Sequence, residues 1–176
     1  MKQDLKDDFI QALLTSRLRQ NHPDSLKLFA QFIGSWDWNG FDYLDDGTKM
    51  PTKGKWVFEW VLNGNAIQDV FIFEDPHNNT DQLSFVEYGT TIRFPIDDGK
   101  TWKVVWVGPM NKIVRTFDAK VVGTEIVLDG KNDKGDIVHW IFSEITESSF
   151  HWRGEYSSNS GESWNLYEEI DAKRKD

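Results

Sequence analysis

Several ionisable and hydroxyl-bearing side chains alternate with large rings along strand-like segments, at positions where they could meet. Opposed residues of an antiparallel strand pair share one face of the sheet, so folding the chain at its glycine-bearing turns assigns each residue to a face. Continued along the chain, this pairing places five polar residues on one common face: Asp69, Arg115, Tyr156, Tyr167 and Glu169. Carboxylates, a guanidinium and phenols can form a structural ion pair, hold a polar ligand group or transfer a proton.

Three uses of these polar residues are open. Arg115 could stack on Trp106 and pair with Asp69 or Glu169, which would serve stability alone. The same residues could instead orient a bound molecule in an otherwise apolar cavity. A small-molecule enzyme, such as an isomerase, hydrolase or lyase, could use Asp69 or Glu169 as general base, with Arg115 or a tyrosine stabilising negative charge. Burial among tryptophans would raise a carboxylate pKa and pairing with Arg115 would lower it, so these effects oppose each other.

Large aromatic side chains dominate the same face. The chain contains nine Trp and twelve Phe, and such rings pack cores or line pockets. Because the inward side chains of a barrel either fill it or line a cavity, the pattern also names candidate ligand contacts. These are Phe58, Trp60, Asp69, Trp106, Arg115, Trp140, Trp152, Tyr156, Tyr167 and Glu169. We expect the ligand to be a small apolar or amphipathic molecule.

Other ionisable residues fall on the outer face of the predicted sheet. They are Arg93, His139, His151, Arg153 and Glu155. The strand register opposes His139 to Glu155. His151 faces Ser143 in the same register, so ligation of a metal by the two histidines is not expected. The chain also lacks a calcium loop, a phosphate-binding loop, a dinucleotide fingerprint and a nucleophile elbow, and we therefore predict neither a metal nor a cofactor.

Two helices and a series of strands must position these residues. Apolar spacing predicts an amphipathic helix from Leu5 to Leu18. A second helix has Asp24 or Ser25 as N-cap, carries the apolar stripe Leu26, Phe29, Phe32 and Ile33, and ends at Gly34. After Gly34 the period changes to two, and short glycine-bearing turns make neighbouring strands antiparallel. The predicted strands are 35–44, 54–62, 66–74, 83–96, 102–108, 113–121, 124–131, 137–145, 149–157 and 164–171. The pattern predicts an all-β, antiparallel up-and-down β-barrel of about nine or ten strands, preceded by two N-terminal α-helices.

Length, charge and cysteine content limit the kinds of protein. The 176 residues are enough for one well-buried core, so we expect a single domain, 1–176, with helices in 1–33 and the barrel in 35–171. A net charge of −9 would repel a phosphate backbone, which argues against nucleic acid as a partner. The absence of cysteine and of an apolar leader predicts a cytoplasmic protein with no membrane association.

Apolar residues are also expected on the outer face of several strands. They include Val70, Ile72, Val105, Val107 and Ile141. This is more apolar surface than a fully solvated wall needs. It predicts a homodimer, and a homo-oligomeric interaction protein is therefore the third open function.

The tripeptide Gly34-Ser35-Trp36 resembles the Gly-x-Trp signature of the calycin superfamily, the lipocalins and their relatives. A short predicted helix precedes it and an antiparallel meander follows it, as in that superfamily. The resemblance implies a lipocalin-like barrel. It also implies that a basic residue from the end of the last strand lies over the signature tryptophan, which makes Trp36 and Arg174 structural candidates rather than ligand contacts.

Further segments resemble a group of uncharacterised bacterial lipocalin-like proteins. They are Trp60-Val61-Leu62-Asn63-Gly64, Ala66-Ile67-Gln68-Asp69-Val70, Tyr88-Gly89-Thr90-Thr91-Ile92-Arg93, Trp106-Val107-Gly108-Pro109 and Ser149-Phe150-His151-Trp152-Arg153-Gly154-Glu155. This resemblance implies a fold and no established activity. The chain lacks the signal peptide and the disulfide of secreted lipocalins, so an extracellular carrier role is not implied.

Overall fold

The computed structural model describes residues 2–14, 23–75 and 85–175. Two helices come first, α1 (Lys2–Leu13) and α2 (Pro23–Ala30). The strands that follow are β1 (Gly34–Tyr43), β2 (Lys49–Val61), β3 (Ala66–Glu74), β4 (Phe85–Ile96), β5 (Thr101–Gly108), β6 (Ile113–Val122), β7 (Glu125–Lys131), β8 (Ile137–Ser143), β9 (Ser149–Ser157) and β10 (Asn165–Arg174). A 3₁₀ turn, Asp97–Gly99, separates β4 from β5. The predicted helix residues 15–18 and strand residues 83–84 lie outside the described residues.

The ten strands of these ranges form a closed barrel in which each strand pairs antiparallel with its neighbours in sequence and β1 pairs with β10. Closure leaves no strand edge unpaired, which removes the usual template for edge-to-edge aggregation. The predicted lipocalin-like up-and-down barrel with two preceding helices is thereby confirmed.

The register within most hairpins also agrees with the sequence pattern. Trp60 lies opposite Ile67, and Trp106 lies opposite Arg115. The β6–β7 hairpin differs, because Phe117 faces Gly130 rather than Leu128. That shift is two residues, so every side chain keeps its face.

The β4–β5 hairpin departs from the predicted register by one residue. Trp106 pairs with Thr91 rather than Ile92, because Asp97 and Asp98 adopt left-handed backbone conformations within the 3₁₀ turn. A shift of one residue exchanges the two faces of a strand. Arg93, predicted to face outward, therefore points into the barrel, where it is fully buried.

One end of the barrel is filled by α2. Leu26 and Phe29 of α2, and Phe32 in the turn that follows it, are buried against the strands. The Phe29 ring lies 4.9 Å from the Trp102 ring, and the Phe32 ring lies 4.9 Å from the Phe142 ring. Aromatic packing stabilises this closed end, because each such ring pair adds to the free energy gained by burying the rings.

Arg93 and Asp69 form a buried ion pair beneath α2. The Arg93 guanidinium lies 4.8 Å from the centre of the Phe29 ring and 5.2 Å from that of Phe58. Asp69 also accepts a hydrogen bond of 3.1 Å from the backbone N–H of Thr91. The predicted pairing of Arg115 with Asp69 is wrong, because Arg93 holds that carboxylate.

Arg174 lies over Trp36, which is the contact that the resemblance predicts. The Arg174 guanidinium lies 4.1 Å from the centre of the Trp36 ring, and Arg174 donates hydrogen bonds to the carbonyls of Ile33 and Gln31. The Trp36 Nε1–H donates to the Phe32 carbonyl at 2.7 Å. The predicted structural role of Trp36 and Arg174 is confirmed, and together they fasten α2 to the end of the chain.

Candidate functional site

The barrel end opposite α2 contains a cavity of about 360 Å³. Ligand pockets typically measure about 300–1,000 Å³, so a small molecule fits this volume. The described residues that line it are Asp42, Tyr43, Leu44, Trp56, Phe71, Phe73, Val86, Glu87, Thr91, Trp106, Asn111, Ile113, Arg115, Trp140, Trp152, Tyr167, Glu168 and Ile170. Eight of these residues are aromatic and four are aliphatic, so apolar side chains form most of the wall, and six polar or charged residues interrupt it.

Half of the predicted ligand contacts lie on this cavity. They are Trp106, Arg115, Trp140, Trp152 and Tyr167. Trp140 contacts both other tryptophans edge to face, with ring centres 5.7 Å apart in each case. These residues come together as the pattern predicts, and their contact with a ligand stays a prediction.

The other predicted contacts lie elsewhere in the molecule. Phe58 and Asp69 are buried in the closed half, and Trp60 lies near the β2–β3 turn, partly buried against the core. Tyr156 packs beside Tyr167, with ring centres 6.4 Å apart, outside the cavity wall. Glu169 is on the outer face, opposite the exposed Phe41.

A β-bulge explains why Glu169 faces outward. Leu166 pairs with Glu155, yet Glu168 already pairs with Gly154, so one extra residue is inserted in β10. A bulge of this kind turns the residues after it by one position. Glu168 therefore enters the cavity, and the Glu169 carboxylate instead accepts hydrogen bonds from Lys49 Nζ at 3.0 Å and from the Tyr43 hydroxyl.

Tyr167 occupies the bulge and presents its hydroxyl to the cavity. A Cβ at Gly154 would lie only 2.5 Å from the Tyr167 ring, so the ring rests directly on the backbone of β9. The hydroxyl accepts a hydrogen bond from Trp140 Nε1. Burial raises the pKa of Tyr167, and the Glu168 charge raises it further. The phenol therefore keeps its proton. Among the described residues, no acceptor forms a hydrogen bond with this O–H.

Glu168 and Asp42 place two carboxyls side by side in the wall. They occupy opposed positions on β10 and β1. Burial raises the pKa of Glu168 to about 8, and the charge of Asp42 adds to the effect. Burial also raises the pKa of Asp42. Glu168 Oε1 is shielded from solvent and has no hydrogen-bond partner among the described residues, so the pair can hold a proton near neutral pH.

Arg115 is the cation of the cavity. Among the described residues no carboxylate lies within ion-pair distance of its guanidinium. Both predicted partners are engaged elsewhere, Asp69 with Arg93 and Glu169 with Lys49. The guanidinium does lie near Tyr167, where its charge opposes the rise of the tyrosine pKa.

Glu87 lies at the rim of the cavity, and the sequence analysis did not predict it as a site residue. Its carboxylate accepts hydrogen bonds from the backbone N–H of Met110 and of Asn111, each at 3.2 Å, and from Asn111 Nδ2 at 2.9 Å. These bonds tie the β5–β6 turn to β4. With the correct β4 register, alternation from Arg93 through Thr91 and Gly89 would have placed Glu87 on the inner face.

Two further properties concern metals and membranes. No group of three or more His, Cys, Asp or Glu side chains in the described part of the chain could hold a metal ion. Neither described helix has the length and apolar character needed to cross a bilayer. The cytoplasmic location expected from the sequence stays a prediction.

A closed antiparallel barrel with a helix in one end and a cavity in the other defines the lipocalin-like class of fold. The S-type phycobiliprotein lyase CPES from Guillardia theta has the same fold, with a TM-score of 0.62, 9% identity, and coverage of 90% of this chain and 99% of that chain. Rv2717c from M. tuberculosis has a TM-score of 0.63 and 10% identity, covering 91% of this chain and 100% of that chain. At these identities the similarity shows the fold alone.

No family model and no curated protein sequence matches the chain. The resemblance to a group of uncharacterised bacterial lipocalin-like proteins therefore stays a prediction.

Proposed function

We propose that this protein binds a small, mainly apolar or amphipathic molecule inside the barrel. The observation that supports this most is the cavity of about 360 Å³ walled by Trp56, Trp106, Trp140 and Trp152. Apolar area removed from water contributes about 25 cal/mol per Å², so a ligand that covers these rings gains substantial free energy. The few polar groups among them would fix its orientation.

The structural similarity is compatible with this function. One protein of the same fold is named a phycobiliprotein lyase. Because one fold hosts many unrelated functions, the proposal rests on the cavity and not on that name.

Filling the cavity tests the proposal. Ile113 lines the cavity, and its neighbour Val114 is 66% exposed on the outer face. We expect Ile113→Trp to weaken binding of a neutral probe, naphthylethanol, at least about tenfold, since about 1.4 kcal/mol of lost contact suffices. Val114→Trp is the matched control and should bind like the wild type in the same fluorescence titration. Equal affinity in all three proteins, or no binding by any of them, would contradict the proposal.

A proton-transfer enzyme is a second candidate. The two general bases expected from the sequence, Asp69 and Glu169, do not reach the cavity. Glu168 does, and its raised pKa suits acid–base chemistry near neutral pH. Wild type and Glu168→Gln would be screened for turnover of unsaturated ketones and esters. Substrate loss in the wild type that Glu168→Gln abolishes would support an enzyme, and identical inactivity would exclude it for these classes.

The predicted homodimer has a defined candidate surface, which we call the outer row. Directly opposed residues of five successive strands form it: Val57, Val70, Thr90, Val107 and Val114. The row carries no charge, so a second copy can pack on it without like-charge repulsion, although the chain has a net charge of −9. Ile141, also expected to contribute, is buried. Light scattering that gave a mass near 20.5 kDa at micromolar concentration would contradict the dimer.

A further inference from the structure

We infer that the cavity is specific for a carboxylic acid, whose carboxylate is held by Arg115 and Tyr167 and receives a hydrogen bond from protonated Glu168. This inference rests on the proposed binding function and specifies its ligand class. Binding of the carboxylate then requires Glu168 in its protonated form.

Arg115 brings a positive charge into the cavity wall. It is half-buried in a mainly apolar wall, so an anionic partner would stabilise its guanidinium. The protein supplies no carboxylate at ion-pair distance among the described residues, since Asp69 and Glu169 are bound to other cations. A carboxylate matches the forked geometry of a guanidinium and accepts two parallel hydrogen bonds from it.

The Tyr167 hydroxyl can donate a hydrogen bond to a ligand. Its oxygen already accepts a hydrogen bond from Trp140 Nε1, so the lone pair on that side is used. Its own O–H has no acceptor among the described residues, and burial keeps it protonated. The hydroxyl lies close to Arg115, and the two donors therefore serve one acceptor group.

Glu168 and Asp42 form a pair of neighbouring carboxyls in the same cavity wall. Two neighbouring carboxyls in a site shielded from solvent cannot both ionise without mutual repulsion. The unpartnered Oε1 of Glu168 lines the cavity. In its protonated form Glu168 can donate to a carboxylate ligand, whereas in its ionised form it repels one. Ligand binding and proton binding by Glu168 should therefore favour each other.

The other titratable groups that face the cavity do not remove this effect. Glu87 is held by Met110 and Asn111. The Tyr43 hydroxyl donates to Glu169 on the outer side. Asp42 adjoins Glu168 and favours its protonated form. A cationic ligand is the opposite possibility, because it could bind between the two carboxyls, but Arg115 would repel it.

The test is a series of three ligands that share one ring system and differ in their polar group. Naphthylacetate is the anion, naphthylethanol the neutral molecule and naphthylethylamine the cation. Affinities are measured by tryptophan quenching for wild type, Arg115→Met, Glu168→Gln and Glu169→Gln. Glu169→Gln is the matched control, because it changes the adjacent carboxyl on the outer face.

We expect wild type to bind naphthylacetate about tenfold or more tightly than naphthylethanol, since a charge-assisted hydrogen bond contributes about 1.5–3 kcal/mol. Arg115→Met should remove this preference, and Arg115→Gln provides a second variant with the same expectation. The Kd of wild type for naphthylacetate should rise as the pH passes about 8. Glu168→Gln should abolish that dependence, and Glu169→Gln should keep it.

The outcomes separate this inference from the proposed function. Equal binding of the acid and the alcohol, or tightest binding of the amine, would overturn the inference and leave the binding function in place. A wild-type affinity for the acid that is constant from about pH 6 to 9 would overturn the role of Glu168. Binding of none of the three ligands by folded protein would count against the proposed function itself.

Discussion

The two halves of the barrel each contain an arginine on the inner face, and among the described residues only Arg93 has a carboxylate partner. Arg93 is 1% exposed, pairs with Asp69 and lies between two phenylalanine rings. Arg115 lines the cavity, and the described residues place no carboxylate within ion-pair distance of it. The same residue type thus completes the core in one half and offers an open binding group in the other.

The inner carboxyls differ in the same way. Asp69 is bound by Arg93 and by the Thr91 backbone. Glu168 has a buried oxygen without a partner and a pKa raised to about 8. Since the two buried charges of the closed half are paired with each other, substitutions there should affect stability. Substitutions in the open half should affect binding and pH dependence.

Arg93→Met should have the largest effect on the free energy of unfolding. Removing one partner of a buried ion pair leaves an uncompensated charge and costs about 3–5 kcal/mol. Urea unfolding of wild type and Arg93→Met measures the difference. The double variant Arg93→Met with Asp69→Leu should recover most of the loss, because no charge remains buried. A double variant no more stable than the single one would contradict the paired role of Arg93.

Glu168→Gln should change how stability depends on pH. Burial raises the pKa of Glu168 from its ordinary 4.5 to about 8 in the folded protein. Between these values the folded state keeps a proton that the unfolded chain releases, so this group lowers stability as the pH rises. A tenfold change in an ionisation constant equals about 1.4 kcal/mol, so the full shift corresponds to about 5 kcal/mol at most. Because Glu168 is only half-buried and solvent screens part of this energy, Glu168→Gln should gain about 2–4 kcal/mol on wild type across the window.

The measurement is urea unfolding of both proteins at pH values below and above this window. The gain should be nearly complete at pH about 8. A stability difference that is the same at both ends would show that the pKa of Glu168 does not change on folding.

Arg174→Ala should have a smaller effect, at the closed end. It removes the contact with the Trp36 ring and the hydrogen bonds to the carbonyls that follow α2. A cation–π contact contributes about 0.5–2 kcal/mol, and we expect a total loss of about 1–3 kcal/mol in urea unfolding. Lys173→Ala is the control, since Lys173 is exposed and surface changes usually stay within about 0.5 kcal/mol. Equal losses for both variants would exclude a special role of Arg174.

The sequence was sufficient where tight turns set the register. Val61 pairs with Ala66 across the β2–β3 turn, and Asn63 and Gly64 within it have positive φ. The faces of β2 and β3 were predicted correctly from that turn. Two local features were not visible. Because of the left-handed backbone at Asp97 and Asp98, Arg93 was assigned to the outer face although it points inward. Because of the bulge at Tyr167, Glu169 was assigned to the inner face in place of Glu168.

The position of the cavity could not be predicted either. It depends on how far Phe29 of α2 and Phe32, just after α2, reach into one end of the barrel. Inward alternation alone treats Phe58 and Trp106 alike, although the first is core and the second lines the cavity. Tertiary packing decides whether an inward side chain fills the core or lines the cavity.

Arg115→Met should have the smallest effect on stability, within about 1 kcal/mol without ligand. The substitution removes a charge that no described carboxylate balances, and methionine retains much of the apolar stem of the side chain. Ligand should then separate the proteins. A ligand at a hundred times its Kd stabilises the folded state by about 2.7 kcal/mol. Naphthylacetate at that concentration should give this increment to wild type and only about 1.4 kcal/mol to Arg115→Met, whose Kd is expected to be about tenfold higher. If Arg115→Met unfolds as readily as Arg93→Met in the absence of ligand, Arg115 has a structural partner and the two halves of the barrel are alike.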